Sequence, residues 1–188
     1  MSWTNKVSAL TALLNAVEFT DQAGSALPVD AGFARWVELT RALRDAGRTI
    51  YFVGNGASAS MASHFSADLA KNARVHTQVF TDPSLVTAIG NDMGYEHVFS
   101  EPLRRRGQAG DMLVAISSSG RSPNIVQGVG MARELGMHVV GLSGMTPDNT
   151  LRLNGTLNIY VAATTYGNAE TSHAAILHHW LDAMLGEV

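Results

Sequence analysis

The chain has 188 residues, enough for one domain with a full core. It is 46% hydrophobic and 15% charged, with a formal net charge of -3, a balance that argues against bulk attraction to nucleic acid. It contains no cysteine, which excludes disulfides and thiolate metal sites, and no apolar run reaches the roughly 18 residues that a membrane span needs.

Val7, Leu10, Leu13, Leu14 and Val17 recur at helical spacing and predict an amphipathic helix over 5–24. Pro28 and Gly32 punctuate a turn. A second helix is expected over 31–46, with Phe33, Val37, Leu39 and Leu43 among its apolar positions and Gly47 as its stop. A strand at 49–53 precedes a helix at 58–72 and a short strand at 77–80. Asp82-Pro83 marks a turn, and 84–106 reads as helical pieces broken near Gly90-Asn91-Asp92. The arginines at 104–106 read as a solvated helix face. A strand at 112–116, a helix at 122–135 and strands at 139–142 and 157–161 follow, and a helix at 168–185 closes the chain. Alternating strands and helices predict an α/β fold, a doubly wound parallel sheet of about five strands. The whole chain, 1–188, reads as one domain. Its first 47 residues form a helical extension that packs on the sheet domain or on a neighbouring subunit. The opening Met1-Ser2-Trp3-Thr4-Asn5-Lys6 has no signal-peptide pattern, and a cytoplasmic location is expected.

Two turns stand out. Gly54-Asn55-Gly56-Ala57-Ser58 follows the apolar run 49–53. Ser117-Ser118-Ser119-Gly120-Arg121-Ser122-Pro123-Asn124 follows the run 112–116. A strand that ends in such a turn and opens a helix leaves unpaired backbone N–H groups beside hydroxyls, which suits an anion. One such turn alone reads more readily as an ordinary helix cap. Two in one small domain point to a phosphate site at the carboxyl ends of parallel strands, held by Gly56, Ser58, Ser117, Ser118, Ser119 and Ser122. Arg121 reads either as a solvated turn residue or as a contact to a substrate anion.

The first turn, continued by His64-Phe65-Ser66-Ala67-Asp68-Leu69, resembles the opening of the sugar isomerase (SIS) domain. Thr87-Ala88-Ile89-Gly90-Asn91-Asp92-Met93-Gly94-Tyr95-Glu96 and the serine turn are similar to two further segments of that family, and the combination resembles its phosphoheptose isomerase branch. The resemblance implies an isomerase of sedoheptulose 7-phosphate, usually tetrameric and often zinc-dependent. It also implies that Asn55, Asn91 and Asp92 contact the sugar, with Thr165 placed to join them. The chain departs from the family at several positions. Asp68 stands for Glu in the His-x-x-x-Glu helix and Arg121 for Asn in the serine turn. In the last helix Asn168 replaces Arg, Glu170 replaces Gln and Thr171 replaces Glu, when His173 and His178 are matched to the family's two histidines.

His64 and Asp68 are four residues apart on a helix and share a face; Glu170 and His178 are two turns apart on the last helix and share another. Two imidazoles and two carboxylates suit zinc or another divalent first-row metal, so these four residues are the expected metal ligands. Aldose–ketose isomerisation moves a proton between C1 and C2 through an enediol and needs a base near its working pH. Asp68 is the first candidate and His178 its partner; Glu170, with the longer reach, is the competing base. A non-catalytic sugar-phosphate-binding or partner-binding protein, or an isomerase of another sugar phosphate, are the alternative readings. A homotetramer with a phosphorylated sugar as substrate, and no nucleic-acid or membrane partner, is the expected setting.

Overall fold

The computed structural model describes residues 2–187. Among these, helices α1 (Trp3–Asn15), α2 (Val29–Asp45), α3 (Ala57–Ala73), α4 (Pro83–Asp92), α5 (Ser100–Arg106), α6 (Pro123–Glu134) and α7 (Tyr166–Leu185) surround one sheet. The strands are β1 (Glu18–Asp21), β2 (Ala26–Leu27), β3 (Thr49–Gly54), β4 (His76–Val79), β5 (Met112–Ser117), β6 (His138–Gly144) and β7 (Leu157–Val161), in the spatial order β2-β1-β7-β6-β5-β3-β4. The five strands from β3 to β7 are parallel. β5, in the middle, is buried along its whole length, as a strand covered on both faces must be.

The sheet is doubly wound, as the alternation of elements predicts, but it has seven strands rather than about five. The difference lies in residues 16–27. The expected helix over 5–24 ends at Asn15. The chain then makes an antiparallel hairpin that adds β1 to the edge of β7, pairing Phe19 with Ile159. Apolar spacing continues through Val17, so periodicity alone runs the helix on. What stops it is tertiary: Phe19 is buried against α2 and forms an edge-to-face pair with Phe33 at 4.8 Å. Gly32 on α2 makes room for that ring, since a Cβ there would collide with Phe19. The break expected near Gly90-Asn91-Asp92 falls later, at Met93-Gly94, where Gly94 takes a φ of 105° before a short 3-10 helix at Tyr95–His97.

Two apolar layers cover the sheet. One joins α2, α3 and α7 and holds the stacked pair Trp36 and Trp180, whose ring centroids lie 4.0 Å apart. The other joins α4, α5 and α6 through Phe80, Phe99, Leu103 and Val129. By contrast α1 has no buried residue; Trp3 is 80% exposed and Val7 45%. The chain moves from β3 outward to β4, then returns to β5 on the other side of β3. The helices after β3 and β5 therefore leave toward opposite faces, and the crevice between their turns is where ligands bind in such sheets.

Candidate active site

Both turns sit at that crevice. Gly54 ends β3 and Gly56, with φ 55°, starts α3. Gly54 is tightly enclosed, because a Cβ there would lie 2.6 Å from the backbone of Ser58. The second turn leaves β5 at Ser117 and enters α6 at Pro123. Within it Ser117 Oγ accepts from the Gly120 amide at 3.2 Å, and Ser119 Oγ accepts from the Arg121 amide at 3.3 Å. Ser122 occupies the cap position of α6, yet its hydroxyl caps nothing. Its Oγ is thus available to a ligand beside the positive end of the helix.

The turn is held from behind. Gly120 has φ 61° and lies against the buried side chain of Asn149, leaving no space for a Cβ. Asn149 bonds the carbonyl oxygens of Gly144 and Thr146, while the Leu151 amide donates to the Gly120 carbonyl at 2.9 Å. The segment after β6 is thereby stitched to the serine turn. Arg121 belongs to this stitching: Nη2 reaches Asp148 Oδ1 at 2.8 Å, which holds that carboxyl below its ordinary range, and the guanidinium does not line the crevice. In the structure it is a solvent-exposed ion-pair partner of Asp148.

The crevice encloses about 200 Å³. Asn55 and Ser58 of the first turn, Ser117, Ser118, Ser119 and Ser122 of the second, and Tyr166 and Glu170 of α7 line it. Glu170 thus faces the serines. The other three expected metal ligands gather elsewhere. His64 Nε2 lies 3.4 Å from Asp68 Oδ2, and the His64 ring centroid is 5.6 Å from that of His178. Lys71 also approaches Asp68, at 3.8 Å. The expected convergence of all four residues on one ion is not seen within the chain: Glu170 lines the serine crevice, while His64, Asp68 and His178 gather beside one another. Among the described residues no group of three or more His, Asp or Glu side chains could hold a metal ion. No step below is routed through a metal.

The remaining expected residues are outside the crevice lining. Asn91 and Asp92, exposed at the end of α4, bond each other at 2.8 Å and stay outside the lining. Thr165 caps α7 by accepting from the Asn168 amide at 3.3 Å. His173 is fully buried under β6. Sequence reasoning missed Tyr166 and Asn124. Tyr166 is one residue past Thr165 and gave no signal of its own. Asn124, 2% exposed, stands inside the serine motif but reads there as a turn residue. In the structure it bonds Asn55.

A family profile for the SIS domain matches residues 15–144. The phosphoheptose isomerase of Campylobacter concisus is 36% identical over 138 residues, covering 70% of this chain and 72% of that protein. The Bradyrhizobium phosphoheptose isomerase is 35% identical over 160 residues, covering 74% and 79%. Among solved structures, a phosphoheptose isomerase from Neisseria gonorrhoeae superposes with a TM-score of 0.79 at 30% identity, covering 97% of this chain and 99% of that one. One from Francisella tularensis gives 0.81 at 22% identity, a likeness of fold.

Proposed function

Because this chain belongs to the SIS domain family, and within it to the phosphoheptose isomerases, we propose that it interconverts sedoheptulose 7-phosphate and D-glycero-D-manno-heptose 7-phosphate. The observation that carries this reading is the lining of the crevice, where four serines of one turn and two polar residues of the other face a single carboxylate, Glu170.

Hydroxyls and helix-start amides are the donor set for a phosphate dianion, and they need no net positive charge around them. The open-chain sugar then runs from its phosphate toward α7. The carboxylate of Glu170 takes the proton from C1 as the C1–C2 double bond forms and O2 gains a proton. It returns the proton to C2 as the hydroxyl on C1 loses its own and becomes the aldehyde. N–H and O–H donors in the crevice offset the negative charge that develops on oxygen between these steps. Glu170 therefore takes the base role first assigned to Asp68. Asp68, His64 and His178 form a separate polar group between α3 and α7.

A homotetramer is part of the proposal. The groove between α1, α2 and α7, lined by Leu14, Val17, Val29, Phe33 and Ile176, is mostly apolar and open, and Trp3 and Val7 of α1 are exposed apolar positions. Packing against other copies removes that surface from water. A phosphorylated sugar substrate goes with a cytoplasmic location. The deciding experiment is NMR of sedoheptulose 7-phosphate with the protein in deuterated water. Formation of the aldose with deuterium at C2 is expected. Unchanged ketose with no exchange at C1 overturns the isomerase.

A further inference from the structure

Asn55 and Asn124 face each other across the crevice floor as a closed amide pair. Asn55 Nδ2 donates to Asn124 Oδ1 at 3.0 Å, and Asn124 Nδ2 donates to Asn55 Oδ1 at 2.8 Å. A third bond orients the pair. The backbone N–H of Ile125 donates to Asn124 Oδ1 at 3.0 Å, and since that backbone group can only donate, the atom it meets must be the oxygen. The reciprocal bonds then orient Asn55. On the far side, the Tyr95 hydroxyl reaches Asn55 Oδ1 at 3.4 Å.

Counting donors and acceptors gives a definite result. Asn55 Oδ1 accepts from Asn124 Nδ2 at 2.8 Å and is crowded on its other side by the Tyr95 hydroxyl at 3.4 Å, which leaves the N–H as the group Asn55 offers a ligand. One N–H of Asn55 is used on Asn124. Its second N–H has no partner among the described residues, and Asn55 lines the crevice. We infer that Asn124 is a positioning residue that fixes the Asn55 amide so that Asn55 presents only an N–H to the crevice and reads an acceptor oxygen of the phosphosugar. This rests on the proposed isomerase for its choice of substrate and adds a selectivity rule: a group that only donates at this point of the ligand is rejected.

The pair also ties together the two turns of the crevice, because Asn55 lies between β3 and α3 while Asn124 is in the first turn of α6. An isolated asparagine in a mobile turn turns its amide over to suit donor or acceptor; one held by reciprocal bonds to a buried partner does not. Burial of Asn124 strengthens the hold, since breaking the pair leaves a buried amide without partners.

The test uses Asn124→Asp, Asn124→Ala, Asn55→Ala and the double variant of Asn124→Ala with Asn55→Ala. Asn124→Asp keeps the shape but can no longer donate to Asn55 Oδ1. Each single variant is expected to raise KM for sedoheptulose 7-phosphate roughly tenfold with a smaller change in kcat, and to weaken binding in calorimetry by a similar factor. Asn124 acts through Asn55, so the double variant should be no worse than Asn55→Ala alone. Additive losses in the double variant, or Asn124→Asp with wild-type KM, overturn the inference. If wild type binds the sugar phosphate without isomerising it, the isomerase reading fails while the calorimetric comparison still decides this one. A readout without ligand is the Asn55 side-chain amide by nitrogen-15 NMR. Its two proton resonances should be well separated in wild type and move toward free-amide values in Asn124→Asp; unchanged resonances overturn the inference whatever the substrate.

Discussion

The His173 imidazole donates through Nε2 to the carbonyl oxygen of Ser143 at 3.2 Å, and its Nδ1 has no partner. The ring is completely buried between α7 and the end of β6. Burial pushes its pKa down from 6.5 to about 4, and the bond to the Ser143 carbonyl opposes that only in part. The folded ring resists the proton that the unfolded ring accepts. The stability linked to His173 is therefore whole above pH 6.5 and is lost as pH falls toward 4, by roughly 3 kcal/mol once the loss is complete. Thermal melting of wild type and His173→Leu at pH 7.5, 5.5 and 4.5 checks this. The wild type should lose more melting temperature on acidification than the variant; parallel curves refute it.

The hydroxyl of Ser122 separates binding from stability. It makes no cap bond in its own helix, so Ser122→Ala should leave the melting temperature within a degree or two. The same change should weaken phosphosugar binding by about 1–3 kcal/mol, because a phosphate oxygen loses its donor. Ser119→Ala should weaken binding to a similar degree and also loosen the turn, since Ser119 Oγ accepts from the Arg121 amide. Equal affinity for both variants and wild type in a calorimetric titration removes this turn from the site.

Gly120 admits no side chain. Its φ is positive, and a Cβ would run into Asn149. Gly120→Ala is expected to destabilise the fold by more than about 1 kcal/mol and to abolish phosphosugar binding, because the turn must leave Asn149 to make room. Denaturant unfolding and calorimetry on one preparation test both halves. A variant that binds normally shows that the turn tolerates the shift.

The two carboxylates make a direct contest. Glu170→Gln should lower kcat by roughly 10²–10⁴-fold if Glu170 transfers the proton, while Asp68→Asn should lower it far less. Rates of deuterium exchange at C1 of the ketose measure this without depending on release of the aldose. The reverse ranking returns the base role to Asp68.

What was legible in the sequence was local. Each glycine or serine turn announces itself within eight residues through the apolar strand before it and the helical spacing after it, and both lie in the crevice. The hairpin at Glu18–Leu27 was illegible because β1 has four residues and its partner, β7, lies far along the chain. Without Ile159 beside it, Phe19 reads as one more apolar position on a helix. Glu170 and His178 share a helix face in the sequence, but the face does not say that one points into the serine crevice and the other toward His64. Asn124 was visible as a residue and invisible as a partner of Asn55, since 69 positions separate the two amides.

Helix α1 has 13 residues and buries none of them fully; Leu13 near its end packs against the core. Helices that short are marginal in water by themselves, and its link to α7 through Lys6 and Asn168 is a single polar contact at its start. Its order is consequently a property of the solution as much as of the chain. Dilution should let it fray while the sheet stays intact, and Trp3 turns that into an optical signal. The indole is almost fully in water here, so its emission should shift to the blue as protein concentration rises and neighbouring copies cover it. The two core tryptophans, Trp36 and Trp180, are already dry and stay silent throughout.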